Sequence, residues 1–277
     1  VSHADLTLSA WSDLSDEAAD RTAAAIARSV DARLAGTAPH GYAGRTGRVA
    51  FFDRDGIRYA LVPGATVQLG HDAGRLRPSA RQLADFAEAA DEWALTGPLD
   101  RFVAETTSPP RRVSVPARLV AVRSVEAGTL LAVDDEADLD DGAGEHDHAW
   151  LMAGLARRGL RPPTPDEWEY ACGAGAATLF RWGDDYPEGE PYGRVPLIQE
   201  PNLFGLVIGD DPYRSEFTTE PDVFCGGDGG SALCGGYGSF LSWLTLATAY
   251  REATLAEVVY DGGLTDETPV RPVLPIP

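Results

Sequence analysis

The residues best equipped for chemistry lie in the glycine-rich run from Cys225 to Gly238, where Gly229-Gly230-Ser231-Ala232-Leu233-Cys234 sets a hydroxyl and a thiol three positions apart. Glycines free the backbone to approach a ligand or a neighbouring strand closely. A thiol in that setting is either a packed hinge residue or a working group, and it works only as thiolate. No basic residue lies between Arg214 and Arg251 to stabilise that charge, so activation of Cys234 would rest on a metal or on backbone amides. Upstream, Asp210, Asp211 and Glu216 offer the oxygen ligands that a hard cation such as calcium takes, or form a solvated acidic loop. Glu145-His146-Asp147-His148 combines imidazoles and carboxylates, both good metal ligands. However, His-x-His faces one way only in an extended segment, and here it precedes the helical pattern of Trp150, Leu151 and Leu155. A charged helix start is therefore the expectation.

Composition bounds what these groups can do. The chain has 277 residues, 44% of them hydrophobic, enough to bury a substantial core. Its net charge is −20, which repels phosphate backbones and anionic membranes. Nucleic acid and membrane are therefore not expected partners, whereas a protein with a basic surface, or a small ligand, is. All 23 basic residues are arginine. Three cysteines, Cys172, Cys225 and Cys234, are an odd number that argues against a disulfide framework and for a reducing compartment. With no apolar run of membrane-spanning length and no secretory signature at its start, the sequence reads as cytoplasmic.

The elements that must position the site are legible in part. Ser15-Asp16-Glu17 opens a helix whose stripe Ala19, Ala23, Ile26, Ala27, Val30 and Leu34 predicts an end at Gly36. Pro39 to Gly47 reads as a loop or linker. Val49–Phe52 and Ile57–Val62 read as strands about a tight turn at Asp53-Arg54-Asp55-Gly56, and Thr66–Gly70 as a third. Ser79 and Gln82 have capping-box spacing before a helix facing the core through Leu83, Phe86, Ala87, Ala90, Trp93 and Ala94. Short strands follow at Arg112–Val115 and Leu119–Val122, and Asp134 to Asp141 is a solvated acidic loop. Thr164-Pro165-Asp166-Glu167 is the strongest local signal, with an N-cap threonine, proline at the first helical position and a glutamate returning the capping bond. The apolar tract through Trp243 to Tyr250-Arg251 reads as strand-like. The second half is expected to be α+β with much irregular structure.

The order of these segments resembles the formylglycine-generating enzyme, or sulfatase-modifying factor, family. Residues 59–70 are similar to its "(I/V)PGGxFxMG" opening, and Arg112–Val115 leading to Val125-Glu126 to its next strands and helix start. Residues 161–171 are similar to "RLPTEAEWEYA", Phe180–Asp184 to "YPWGD" and Asn202–Leu206 to "NxxGL". Gly229-Gly230-Ser231 stands for its "RGGS" strand, Ala249-Tyr250-Arg251 for "AAR" and Val270–Val273 for the closing "GFR". The resemblance runs from about residue 48 to the C-terminus. It implies a C-type-lectin-like domain over 48–277, preceded by an N-terminal helical extension at 1–47 that packs on it.

Within that resemblance, active members hold Cu(I) between two cysteines five residues apart and use O₂ to convert a substrate cysteine to formylglycine. Cys234 matches the first cysteine and Ser231 the accompanying serine, but Ser239 stands where the second belongs. Copper prefers paired thiolates, leaving Cys225 as the substitute. The family's "GNxWEW" is replaced by Gly209-Asp210-Asp211-Pro212-Tyr213, so its calcium ligands do not carry over as a motif. With five histidines and no His-xxx-His, the chemistry of the iron-dependent sulfoxide synthases that share this domain is not supported. The resemblance thus implies a pseudoenzyme serving as a protein- or ligand-binding module, the immunity type among them. The alternative is a divergent copper- and O₂-dependent oxidase using Cys234 and Ser231 on a thiol substrate.

Overall fold

The computed structural model describes residues 3–131, 147–251 and 267–277. The expected acidic loop at Asp134 to Asp141, and Glu145 and His146 of the histidine cluster, lie outside the described residues.

The chain opens with helices α1 (Leu8–Ser12) and α2 (Asp16–Ser29), the second capped by the Ser15 hydroxyl, which accepts from the Ala18 amide. Ala19, Ala23, Ile26 and Ala27 form its buried stripe, as the spacing predicts. The helix stops short of the expected Gly36, because Asp31 adopts a left-handed conformation (φ 53°) and reverses the chain. Leu34 and Gly36 belong instead to β1 (Arg33–Tyr42), which pairs antiparallel with β2 (Arg45–Arg54). The linker expected at Pro39 to Gly47 is therefore the end of this hairpin. Its turn, Ala43-Gly44, has positive φ at both residues, which matches the twist of the strands. Pro39 is tolerated because β1 is an edge strand.

The hairpin to β3 (Ile57–Val62) turns at Asp55-Gly56, again with positive φ at both. β4 (Ala65–Leu69) follows. Helix α3 (Ala80–Glu92) has the expected capping box between Ser79 and Gln82. Its buried face runs through Gln82, Phe86 and Ala89, while Leu83 and Trp93 are exposed, so the face is turned from the one expected. Gln82 is drawn inward because its side-chain amide also donates to the Asp184 carbonyl at 2.7 Å. After α4 (Leu99–Thr106) come β5 (Arg111–Val115), β6 (Arg118–Ala121), β7 (Val125–Glu126) and α5 (Ala127–Leu131). Beyond the undescribed segment lie α6 (His148–Arg157), α7 (Pro165–Gly173), α8 (Pro196–Gln199), β8 (Glu216–Phe217) and β9 (Phe224–Cys225). Helices α9 (Ser231–Cys234) and α10 (Ser239–Leu244) precede the closing strands β10 (Pro269–Val270) and β11 (Val273–Pro275).

The protein is mixed α+β with small antiparallel sheets. The largest has the order β1-β2-β3-β6-β11; β4-β5, β7-β10 and β8-β9 are two-stranded. Alternation along its central strands divides the core. Tyr59, Leu61, Leu119 and Ala121 face α2, whereas Ala60, Val62, Val120 and Val273 face the cluster around α7. A third cluster joins α3, α4 and α10 through Phe86, Val103, Phe240 and Trp243. Among the described residues no helix is long and apolar enough to cross a membrane.

Candidate functional site

Helix α7 is the post on which the site is built. The Thr164 hydroxyl accepts from the Glu167 amide, and the Glu167 carboxylate accepts from the Thr164 amide at 2.9 Å, closing the predicted capping box. Glu167 also receives both terminal nitrogens of Arg161. One residue on, the Trp168 indole donates to Glu216 at 2.7 Å. The Arg271 guanidinium engages both oxygens of the same carboxylate, one of them at 2.6 Å, and also donates to the Ala121 and Val207 carbonyls. Glu216 and Arg271 are both almost completely buried, so each charge rests on the other. Glu169, also buried, takes donors from the Gly70 amide, Ser108, Arg111 and Arg251. Asn202 donates to the Ala171 and Cys172 carbonyls and accepts from the Phe204 and Leu206 amides. Segments distant in sequence, ending in Gly70, Asn202, Arg251 and Arg271, thus converge on one short helix.

Those contacts decide the calcium ligands expected from sequence. Both oxygens of Glu216 are committed to a buried arginine. Asp211 accepts from the Tyr213 amide at 2.9 Å in a local turn. Asp210 faces Arg123 at 3.8 Å, and burial, followed by the negative charge of Glu216, holds its carboxyl above the ordinary range. A calcium ion needs six or more oxygens. Here the charge that balances Glu216 is a guanidinium, and among the described residues no group of three or more His, Cys, Asp or Glu is arranged to hold a metal. The three carboxylates do not fit the ion. The described part of the histidine segment forms a helix start, with Asp147 capping α6 through the Trp150 amide and the His148 ring tilted against Phe217 at 4.8 Å.

The thiols are divided in the same way. Cys225 ends β9, opposite Glu216 in register, and is completely buried. Burial pushes its thiol up to about 12, and that of Cys172, equally buried, to about 11. Cys234 is exposed. It does not lie on a strand, as the resemblance led one to expect, but at the end of the one-turn helix α9. Asp228 makes that turn by accepting from the Gly230 amide (2.9 Å) and the Ala232 amide (2.7 Å). Ser231 is tied to the Asp228 carbonyl at 3.0 Å, and Ser239 opens α10. A copper ion would need two thiolates together. One candidate is a protonated core residue and the other a surface residue, so this donor set does not fit Cu(I).

What Cys234 does have is aromatic company that the sequence reading missed. Its sulfur lies 3.4 Å from the Tyr213 hydroxyl, and that hydrogen bond pushes the phenol up to about 12. The Tyr213 ring rests against Gly230, which has φ 83° and no room for a Cβ beside the ring. Tyr192 meets Tyr213 edge-on at 6.0 Å and is 69% exposed. Three residues beyond Cys234 the Tyr237 amide donates to the Ala232 carbonyl, and its ring packs edge-on against Trp93 at 4.5 Å. Trp93 and Tyr213 are each about 40% exposed. The glycines serve close approach: a Cβ on Gly226 would stand 2.7 Å from the Trp168 ring, and one on Gly227 2.6 Å from the Arg214 carbonyl. They seat the α9 turn directly on α7 and on the loop that carries Tyr213. The tract after Gly238, expected to be strand-like, is helical from Ser239 to Leu244 and carries Trp243 into the core.

Neither protein-family models nor curated proteins give a match to this chain.

Proposed function

We propose that the chain is a divergent, formylglycine-generating-enzyme-like domain of C-type-lectin-like fold that works as a binding module, its contact surface being the aromatic face around Cys234. The convergence of the family-like segments on α7 supports reading them as one unit. The observation that carries the function is the contrast between the thiols: Cys225 is sealed in the core, while Cys234 sits in the open against Tyr213, which Tyr192 meets edge-on, and three residues before Tyr237, which packs on Trp93. Exposed, rigid aromatic side chains cost little entropy on binding and dominate contact energy at interfaces. The net charge of −20 favours a partner protein with a basic surface.

A displayed library of small proteins with arginine- and lysine-rich faces, selected on the wild type, tests this. Binders should lose about thirtyfold or more in affinity against Tyr192→Ser/Tyr213→Ser, as hot-spot aromatics do. Binders indifferent to that variant, or conversion of a cysteine peptide to formylglycine by the chain with copper and O₂, would sink the reading.

A further inference from the structure

A cavity elsewhere on the protein shares no residue with the Cys234 face. It lies against the large sheet, with a volume of about 680 Å³, between the β2-β3 turn and the segment running from β6 into α5. Its apolar lining comes from Ile57, Val122, Val125 and Leu130. Three arginines, Arg58, Arg123 and Arg158, line the same space.

The charges around it are unusual for this chain. Overall, acidic residues outnumber basic ones by 43 to 23. Here the order is inverted. Arg58 shares the single carboxylate of Asp53 with Arg33, and Arg54 is paired with Asp55 at 3.3 Å. Arg123 stands 3.8 Å from Asp210, too far for a hydrogen bond. Arg158 donates to the Leu130 carbonyl at the end of α5, and among the described residues no carboxylate pairs with it. Among the described residues that line the cavity, three arginines thus meet one carboxylate, Asp55, which Arg54 engages. Glu126 adds no charge to the cavity, because successive residues of a strand point to opposite faces and Val125 faces in.

A guanidinium presents several donors in a fixed plane suited to a carboxylate. Placed over an apolar floor in a cavity of small-molecule size, such donors select for charge and greasiness together. We infer that this cavity binds a small organic anion, a carboxylate carried on a short apolar body, with Arg123 and Arg158 contacting the charge and Ile57, Val122, Val125 and Leu130 the apolar part.

The test uses octanoate as probe, with octanol and inorganic phosphate as controls, titrated into the intact chain by calorimetry and by arginine side-chain NMR. Octanoate should bind and shift the Arg123 and Arg158 signals, octanol and phosphate should bind at least about tenfold more weakly, and Arg123→Gln should weaken octanoate about tenfold. Arg123 is mostly exposed, so its substitution leaves the fold intact, which the unfolding midpoint checks. Arg158→Lys, which keeps the charge without the planar fork, should weaken binding less than Arg158→Gln. Equal binding of octanol would make the site merely apolar, equal binding of phosphate would make it merely cationic, and either overturns the proposal. So would an undiminished octanoate affinity in Arg123→Gln, or no octanoate binding by about 10 mM, below which a specific contact is expected.

Discussion

Replacing Glu216 by glutamine isolates an ion pair both of whose partners are almost fully buried. The side chain keeps its shape and can still accept from the Trp168 indole, but Arg271 remains buried without a counter-charge, held only by the Ala121 and Val207 carbonyls. Removing one partner of a buried ion pair costs about 3–5 kcal/mol, against a total stability of about 5–15 kcal/mol for a domain. For a protein of this size that is a fall of about 6–20 °C in the unfolding midpoint. Both partners are almost fully shielded from solvent, so the loss should persist at high salt. Calorimetry in chelator and in calcium measures it, together with Arg271→Met and the double variant. The double variant should lose less than the sum of the singles, with a coupling of at least about 1 kcal/mol. If Glu216 were a calcium ligand, the loss would appear only in calcium. That result, or a loss below about 1 kcal/mol in Glu216→Gln, would refute the assignment.

The thiols should separate cleanly in a chromogenic titration at pH 8, where burial keeps Cys225 and Cys172 protonated as well as inaccessible. One thiol, Cys234, should react quickly and two only after denaturation; a second fast thiol would contradict the burial. Asp210 holds its proton more tightly folded than unfolded, so it weakens the fold as pH rises through the window above its ordinary value near 3.8. Asp210→Asn should therefore raise the unfolding midpoint at pH 7 and show no gain near pH 3, and a gain that is flat with pH would count against that reading. Gly230→Ala puts a side chain into a left-handed position and into the Tyr213 ring, costing about 1–2 kcal/mol for the backbone alone and exposing Cys234 to faster alkylation. An unchanged alkylation rate would separate Tyr213 from the thiol.

The parts of the fold legible in the sequence are those written in local chemistry. The Thr164 and Ser79 capping boxes, the Asp55-Gly56 turn and the alanine stripe of α2 each depend on neighbours a few residues away, and they form as their spacing predicts. Where tertiary bonds decide, the local signal misleads. Gln82 is buried against Asp184, which turns α3 and leaves Leu83 and Trp93 outside. Pro39 looks like loop punctuation and is an edge-strand residue. Gly229-Gly230-Ser231 leads not into a strand but into a helical turn, because the buried carboxylate of Asp228 takes up the amides there. Glu216 looked like a ligand since nothing nearby in the chain reveals Arg271, 55 residues on. Tyr192, Tyr213 and Trp93 come from segments outside the glycine run, so no spacing rule could have gathered them near Cys234, whereas Tyr237 stands only three residues beyond it. The signal that was available was the glycine run itself, whose close packing requires large rings nearby.

The most direct test of the Cys234 face as a contact surface is the alkylation rate of that thiol in the presence of a saturating basic partner selected on the wild type. Strong protection of Cys234 is expected in the complex, lost together with binding in Tyr192→Ser/Tyr213→Ser. A complex in which Cys234 alkylates at the rate of the free protein would contradict it.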